Sequence, residues 1–218
     1  AWHTEAIANH ANVDRPLVLV RQSVDSPVAN ATQIFVHALD TEDLFARICA
    51  ELEILDLSVN DARIYLGDDG YTLDTFFVLQ ADGNPVPGDE VTLSGIQRVL
   101  QQALEHGKLR KISRRTPRQL RSFPLPTETT IHQDIDRGWT VLEVSTPDRP
   151  GLLARLGEIF IQLDVAIQGA KIQTLGERVE DVFFITNDTG GAILDEDRLQ
   201  ALRYAICSAL DEGVRATA

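Results

Sequence analysis

The sequence predicts an α+β protein made of two tandem ferredoxin-like sandwiches with antiparallel sheets. Three observations predict it. Two stretches of the chain match each other 108 residues apart, in charged as well as apolar positions. Short segments alternate with period 2, as half-buried strands do, and the segments between them repeat every 3.6 residues, as amphipathic helices do.

The repeat is clearest between Asp40-Thr-Glu-Asp-Leu-Phe-Ala-Arg47 and Asp148-Arg-Pro-Gly-Leu-Leu-Ala-Arg155. At the same spacing Leu55 and Asp56 match Leu163 and Asp164, and Ala62 and Ile64 match Ala170 and Ile172. After a one-residue slip, Asp74-Thr-Phe-Phe-Val78 matches Asp181-Val-Phe-Phe-Ile185. Apolar spacing alone recurs by chance, but charged residues in register across three consecutive elements do not.

In the second copy, Trp139 to Thr146 alternates with Leu142 and Val144 on one face and reads as a strand. Pro150 to Leu163 gathers Leu152, Leu153, Leu156, Ile159, Phe160 and Leu163 on one side of a helix. Val165 to Thr174 and Val179 to Thr186 are strands joined through Gly176-Glu-Arg178, and Asn187 to Gly191 is a loop by composition. Asp195 to Asp211 is a second helix, with Gly213 as its expected stop.

The first copy follows the same order. Ile34 to Leu39 is a strand, Glu42 to Leu55 a helix, Leu57 to Leu66 and Tyr71 to Leu79 a hairpin, and Val91 to Leu104 a helix. A further β-rich segment precedes each copy, at Leu17 to Arg21 and Glu128 to His132, so each unit reads β-βαββα. Whether the leading strand pairs within its own unit or crosses to the other is open at this level. The domain reading is 1–15 as the tail of a preceding domain, 16–107 as the first unit, 108–126 as a basic linker and 127–218 as the second unit. The linker carries Lys108, Arg110, Lys111, Arg114, Arg115, Arg118 and Arg121, and reads as solvated chain or as a docking strip for an acidic partner or a nucleotide.

Composition narrows the function. The formal net charge of −13 opposes nonspecific binding to nucleic acid or an anionic membrane. No apolar run reaches the roughly 18 residues that span a bilayer. Cys49 and Cys207 sit among apolar neighbours and read as buried thiols of a cytoplasmic protein. The chain contains no methionine, its start has no signal-peptide pattern, and it reads as a piece of a longer protein. No zinc-ligand spacing occurs, the five histidines are scattered, and no nucleophile–base pair is identifiable. The Asp68-Asp69 pair lies in a glycine-flanked turn. The expectation is a chain with no catalytic residues and no metal or cofactor of its own.

The informative segment is Thr146-Pro-Asp-Arg-Pro-Gly-Leu-Leu153, which leaves a strand and enters a helix. Pro150 suits a first helical turn, and Gly151 leaves room for a ligand to approach the backbone. Free N–H groups at a helix start would suit a small carboxylate, and Asp148 an ammonium group; together these describe an α-amino acid. Asp148 also suits a helix N-cap that needs no ligand. In the first copy Glu42-Asp43 replaces Pro150-Gly151; two carboxylates there would repel an incoming carboxylate.

Asp148-Arg-Pro-Gly-Leu-Leu in a βαββ setting resembles the ACT family, and the resemblance covers both copies. Thr116-Pro-Arg-Gln-Leu-Arg-Ser-Phe, Gly169-Ala-Lys-Ile172, Gly176-Glu-Arg-Val-Glu-Asp-Val-Phe-Phe184 and Trp2-His-Thr extend it to the C-terminal tandem ACT region of the bifunctional uridylyltransferase/uridylyl-removing enzymes that act on the PII nitrogen-signalling protein. The resemblance implies a glutamine sensor: bound glutamine favours removal of UMP from PII, and its absence favours attachment. It implies a ligand loop of Asp148, Arg149, Pro150, Gly151, Leu152 and Leu153, with Gln168, Gly169 and Ala170 contributed by the facing strand. It implies an enzyme parent, with Mg²⁺ used by catalytic domains outside this chain. The Gly-Ser turn of the nucleotidyltransferase and the His-Asp doublet of the hydrolase are both missing here. The competing reading is a module without a small ligand that dimerises or docks a partner.

Overall fold

The period-2 segments form strands and the 3.6-period segments form helices in the computed structural model, which describes residues 2–8, 15–23, 27–110, 125–175 and 178–215. The first unit comprises β1 (Leu17–Gln22), β2 (Thr32–His37), α2 (Leu44–Ile54), β3 (Leu57–Tyr65), β4 (Asp74–Gln80) and α3 (Glu90–His106). The second comprises β5 (Glu128–Asp134), β6 (Trp139–Pro147), α4 (Leu152–Gln162), β7 (Ala166–Leu175), β8 (Arg178–Thr186) and α5 (Glu196–Arg215). A short helix, α1 (Trp2–Ala8), precedes both.

The strands form one eight-stranded antiparallel sheet in the order β1-β2-β4-β3-β7-β8-β6-β5. Each leading strand pairs within its own unit, β1 with β2 and β5 with β6. Each unit is thus a four-stranded antiparallel half of this one sheet. They join edge to edge where β3 pairs with β7 from Asp61–Gln173 to Tyr65–Gly169. Matching bulges interrupt β3 between Val59 and Asp61 and β7 between Ile167 and Gly169, so Asn60 and Gln168 fall outside the regular register.

Four helices cover one face in the sequence α3-α2-α4-α5, with α2 and α4 meeting across the seam. Ile34, Val36, Phe76, Leu142, Val144, Phe183 and Ile185 point into this layer from both units, and a single core runs through it. Phe183 is enclosed by Phe160 at 5.1 Å and by Phe45 of the other unit at 6.1 Å, both edge-on. Small residues let the central helices approach: a Cβ placed on Gly157 would stand 2.7 Å from the Ala46 methyl. The opposite face of the first unit is covered by α1, whose His3 ring stacks on Phe35 at 4.4 Å. That contact makes β2 buried on both faces.

Three expectations change. α5 continues through Gly213 to Arg215, since a glycine near a helix end costs only about 1 kcal/mol. Pro150 lies before α4, not in its first turn, because Gly151 is the N-cap. Cys207 is half-buried, its thiol set toward the Thr127 carbonyl at 3.6 Å, whereas Cys49 is buried. Most of the basic linker and the Gly176-Glu177 turn lie outside the described residues.

Candidate functional site

The loop singled out in the second unit is a β-turn. Leu152 N–H donates to the Arg149 carbonyl at 3.2 Å, and Gly151 has φ 75° and ψ 10°. Those angles belong to the third residue of a type II turn, where proline precedes and glycine is favoured. The first unit makes the same closure, Leu44 N–H to Thr41 carbonyl at 2.9 Å, with Asp43 at φ −103° and ψ 0°, the values of a type I turn. The two turn types differ by a flip of the central peptide. Pro150-Gly151 therefore turns the Gly151 N–H in a direction that Glu42-Asp43 does not.

The flipped amide reaches across the seam. Gly151 N–H donates to Oε2 of Glu53, in the last turn of α2, at 2.9 Å. A carboxylate at a helix C-terminus is poorly placed by the helix dipole, but here it faces the N-terminal end of the antiparallel α4. Beneath this contact lies a cavity of about 250 Å³ bounded by residues 148–154, by Cys49, Leu52 and Glu53 of α2, by Ile172 and Thr174 of β7 and by Val179 and Asp181 of β8. Its volume is slightly below the roughly 300–1,000 Å³ of drug-sized sites, so it suits a small metabolite.

Asp148 does not cap α4, which has no side-chain cap. Its carboxyl borders the cavity, and burial raises its pKa against the opposing effect of Arg149. Arg149 is folded back, donating to Thr146 Oγ1 at 3.2 Å and to the Pro147 carbonyl at 3.4 Å. Thr146 in turn meets Thr127 Oγ1 at 2.9 Å, and Thr127 Oγ1 donates to Asp211 of α5 at 2.7 Å. The loop is thus tied to α5 and to the start of β5.

Asp181 carries no chemical signal in the sequence beyond its repetition as Asp74. It is 1% exposed, and burial pushes its pKa up to about 7, with the Asp148 charge adding to the shift. Its Oδ1 accepts the Gln173 N–H at 3.2 Å. Glu53 carried no sequence signal at all; only the seam brings it to the loop.

Gln168, Gly169 and Ala170 are placed elsewhere. Gln168 sits in the β7 bulge and donates to Thr186 Oγ1 at 3.0 Å. Gly169 faces the Ile64 carbonyl so closely that a Cβ would lie 3.0 Å from it, and Ala170 is buried. These three residues build the seam and do not line the cavity. From the same strand, Ile172 and Thr174 do.

A second cavity, about 810 Å³, lies at the equivalent loop of the first unit, bordered by Asp40 to Asp43, Phe45, Gly157, Phe160, Ile161, Asp164 and Asp188. Ile161 occupies the place that Glu53 holds in the first cavity, 108 residues away. Asp43 is engaged by Arg47 at 3.3 Å. Among the described residues, no group of three or more His, Cys, Asp or Glu could hold a metal ion, and no helix is long and apolar enough to cross a membrane.

No family model matches the chain. Among curated proteins, it is 43% identical over 214 residues to the bifunctional uridylyltransferase/uridylyl-removing enzyme of Stutzerimonas stutzeri (strain A1501), 97% of this chain and 24% of that enzyme. It is 43% identical over 215 residues to the protein of the same description from Azotobacter vinelandii, covering 98% and 24%. The Pseudomonas aeruginosa (strain LESB58) protein of that description is 42% identical over 214 residues, covering 97% and 24%. The chain thus spans about a quarter of the length of these relatives. Among solved structures, aspartate kinase from Synechocystis aligns with a TM-score of 0.45 at 13% identity, covering 98% of this chain and 39% of that one.

Proposed function

From a chain homologous along almost its whole length to one region of the bifunctional uridylyltransferase/uridylyl-removing enzymes, we propose that it is the amino-acid-sensing regulatory region of such an enzyme. Its ligand is glutamine, its loop 148–153 is the recognition element, and it acts in the cytoplasm. In the parent, bound glutamine favours removal of UMP from PII and its absence favours attachment, both carried out by domains outside this chain.

One observation carries the reading: a carboxylate already occupies the place where a ligand carboxylate would bind. Glu53 Oε2 accepts the Gly151 N–H across the seam. An incoming α-carboxylate takes over that N–H at the positive end of α4. The displaced Glu53 and the nearby Asp148 then face the α-ammonium. Binding exchanges a contact between the two units for contacts to the ligand, so it alters the α2–α4 junction. That differential contact is what allows a ligand to shift an equilibrium between two states.

The same bond favours a second reading. A loop whose amide is already satisfied by Glu53 needs no ligand, as expected of a module that only docks or dimerises. Calorimetric titration of the chain with glutamine, and with glutamate, asparagine and serine as controls, separates the two. Heat that saturates with glutamine alone is expected. No heat with any of the four would overturn the sensing reading and leave the docking one.

A further inference from the structure

Of the buried polar atoms that lack a hydrogen-bond partner among the described residues, Asp181 Oδ2 borders the cavity and has a counterpart in the other unit. Asp74 and Asp181 hold the same position in the repeat, and each accepts a backbone N–H with Oδ1: Tyr65 N–H at 3.4 Å in the first unit, Gln173 N–H at 3.2 Å in the second. The surroundings of the other oxygen differ. Beside Asp74 stands the Thr72 hydroxyl, which offsets part of the rise that burial gives the Asp74 carboxyl, though outside strict hydrogen-bond geometry. The residue matching Thr72 is Val179, which offers no donor. Asp181 Oδ2 is buried and has no hydrogen-bond partner among the described residues.

The two units differ at this point in the same way as at their loops. The unit that keeps Pro150-Gly151 is the one whose carboxyl oxygen is left unpartnered. Asp181 and Val179 both line the cavity beneath that loop, together with Asp148 and Gly151. Leaving a buried oxygen unpaired costs on the order of 1–3 kcal/mol. At the equivalent position of the first unit the Asp74 carboxyl has at least the Thr72 hydroxyl beside it, whereas Asp181 has Val179 there.

We infer that Asp181 sets the chemical selectivity of this cavity, its spare carboxyl oxygen accepting an N–H from the ligand side chain and turning away a side chain that ends in a carboxylate. The inference rests on the amino-acid reading above. It specifies a class: ligands whose side chain ends in an amide or another N–H donor. Above about pH 7, where Asp181 is ionised, a side-chain carboxylate would bring a like charge against Asp181 and Asp148 in a desolvated space. A carboxamide offers the donor that the oxygen lacks.

The test measures dissociation constants for glutamine and glutamate in the 218-residue chain and in two variants. The unmodified chain is expected to prefer glutamine by about 100-fold or more, a margin within reach of a buried polar contact. Asp181→Asn keeps the shape but removes the charge and supplies a competing donor; the preference is expected to fall to about tenfold or less. Val179→Thr supplies in the second unit the hydroxyl that the first unit has. It is expected to weaken glutamine binding about tenfold with little effect on the fold. An unchanged preference in Asp181→Asn, together with unchanged glutamine affinity in Val179→Thr, would overturn the assignment while leaving the sensing function intact. Failure of the unmodified chain to bind any amino acid would overturn both.

Discussion

Arg63 is paired in register with Lys171, the residue that holds its own place in the other repeat. The pseudo-twofold relation between the units therefore passes between these two side chains, at the centre of the sheet. Both are exposed on the face away from the four helices. Two cations directly opposite each other on antiparallel strands repel. Their nearness to Asp61 compensates in part, since both lower its carboxyl pKa against the rise caused by burial. Lys171→Thr is expected to stabilise the chain by about 0.2–1 kcal/mol, because it removes the repulsion and suits a strand. Thermal unfolding measures this; a clear loss of stability would mean that Asp61 depends on Lys171 more than Arg63 is hindered by it.

Gly157 allows α2 and α4 to touch. Gly157→Ala would place a methyl 2.7 Å from the Ala46 methyl and 2.9 Å from its Cα, and the obstacle is a helix backbone. A cost of about 1–3 kcal/mol is expected from overpacking, in spite of the better helix propensity of alanine. Denaturant unfolding would register it as a lower midpoint. No change in the midpoint would mean that the two helices can separate freely.

Gly151 is strained by any side chain. Gly151→Glu forces a left-handed position on a residue with a Cβ, at about 1–2 kcal/mol, or flips the turn to the type I form of the first unit. The flip withdraws the amide from Glu53. The expected result is a modest loss of stability with at least about a tenfold loss of glutamine affinity. Binding that survives at full strength would show that the loop is not the recognition element.

Stability should fall as pH rises from about 4 to about 7. Burial raises the Asp181 pKa from 3.8 to about 7, and raises Asp40 from 3.8 to about 6. In that window the folded chain holds protons that the unfolded chain has lost, so the stabilisation is complete below the unfolded value and is lost as pH passes the folded value. For Asp181 the effect is on the order of a few kcal/mol. Asp181→Asn is expected to flatten the slope in unfolding measured between pH 4 and 8. A slope that persists unaltered would assign the effect to other groups.

The repeat is legible because charged residues recur with the apolar ones, and the leading strands show as β-rich segments before each copy. The β3–β7 seam is not, because an edge that meets another edge has the same pattern as one that meets solvent. That hid Glu53, which becomes part of the site only through the seam. It also hid the place of Gln168, Gly169 and Ala170 at the seam, away from the cavity lining. Pro150 and Gly151 were visible as a pair, but helix periodicity cannot tell a first turn from the type II turn before it. Asp181 was seen as a repeated residue; its unsatisfied oxygen depends on what Val179 is not.

The continuous sheet has a further consequence for dissection. Cutting the chain between its halves would free the long inner edges β3 and β7 and strip the shared helix layer at Ala46 and Gly157. An exposed inner edge is a template for pairing with another chain. Because the seam is antiparallel and centred on equivalent residues, a solitary second half could close it with a copy of itself, Lys171 facing Lys171. The intact chain is in this sense a dimer joined by a tether, and the tether lets its two cavities differ in chemistry where identical subunits could not.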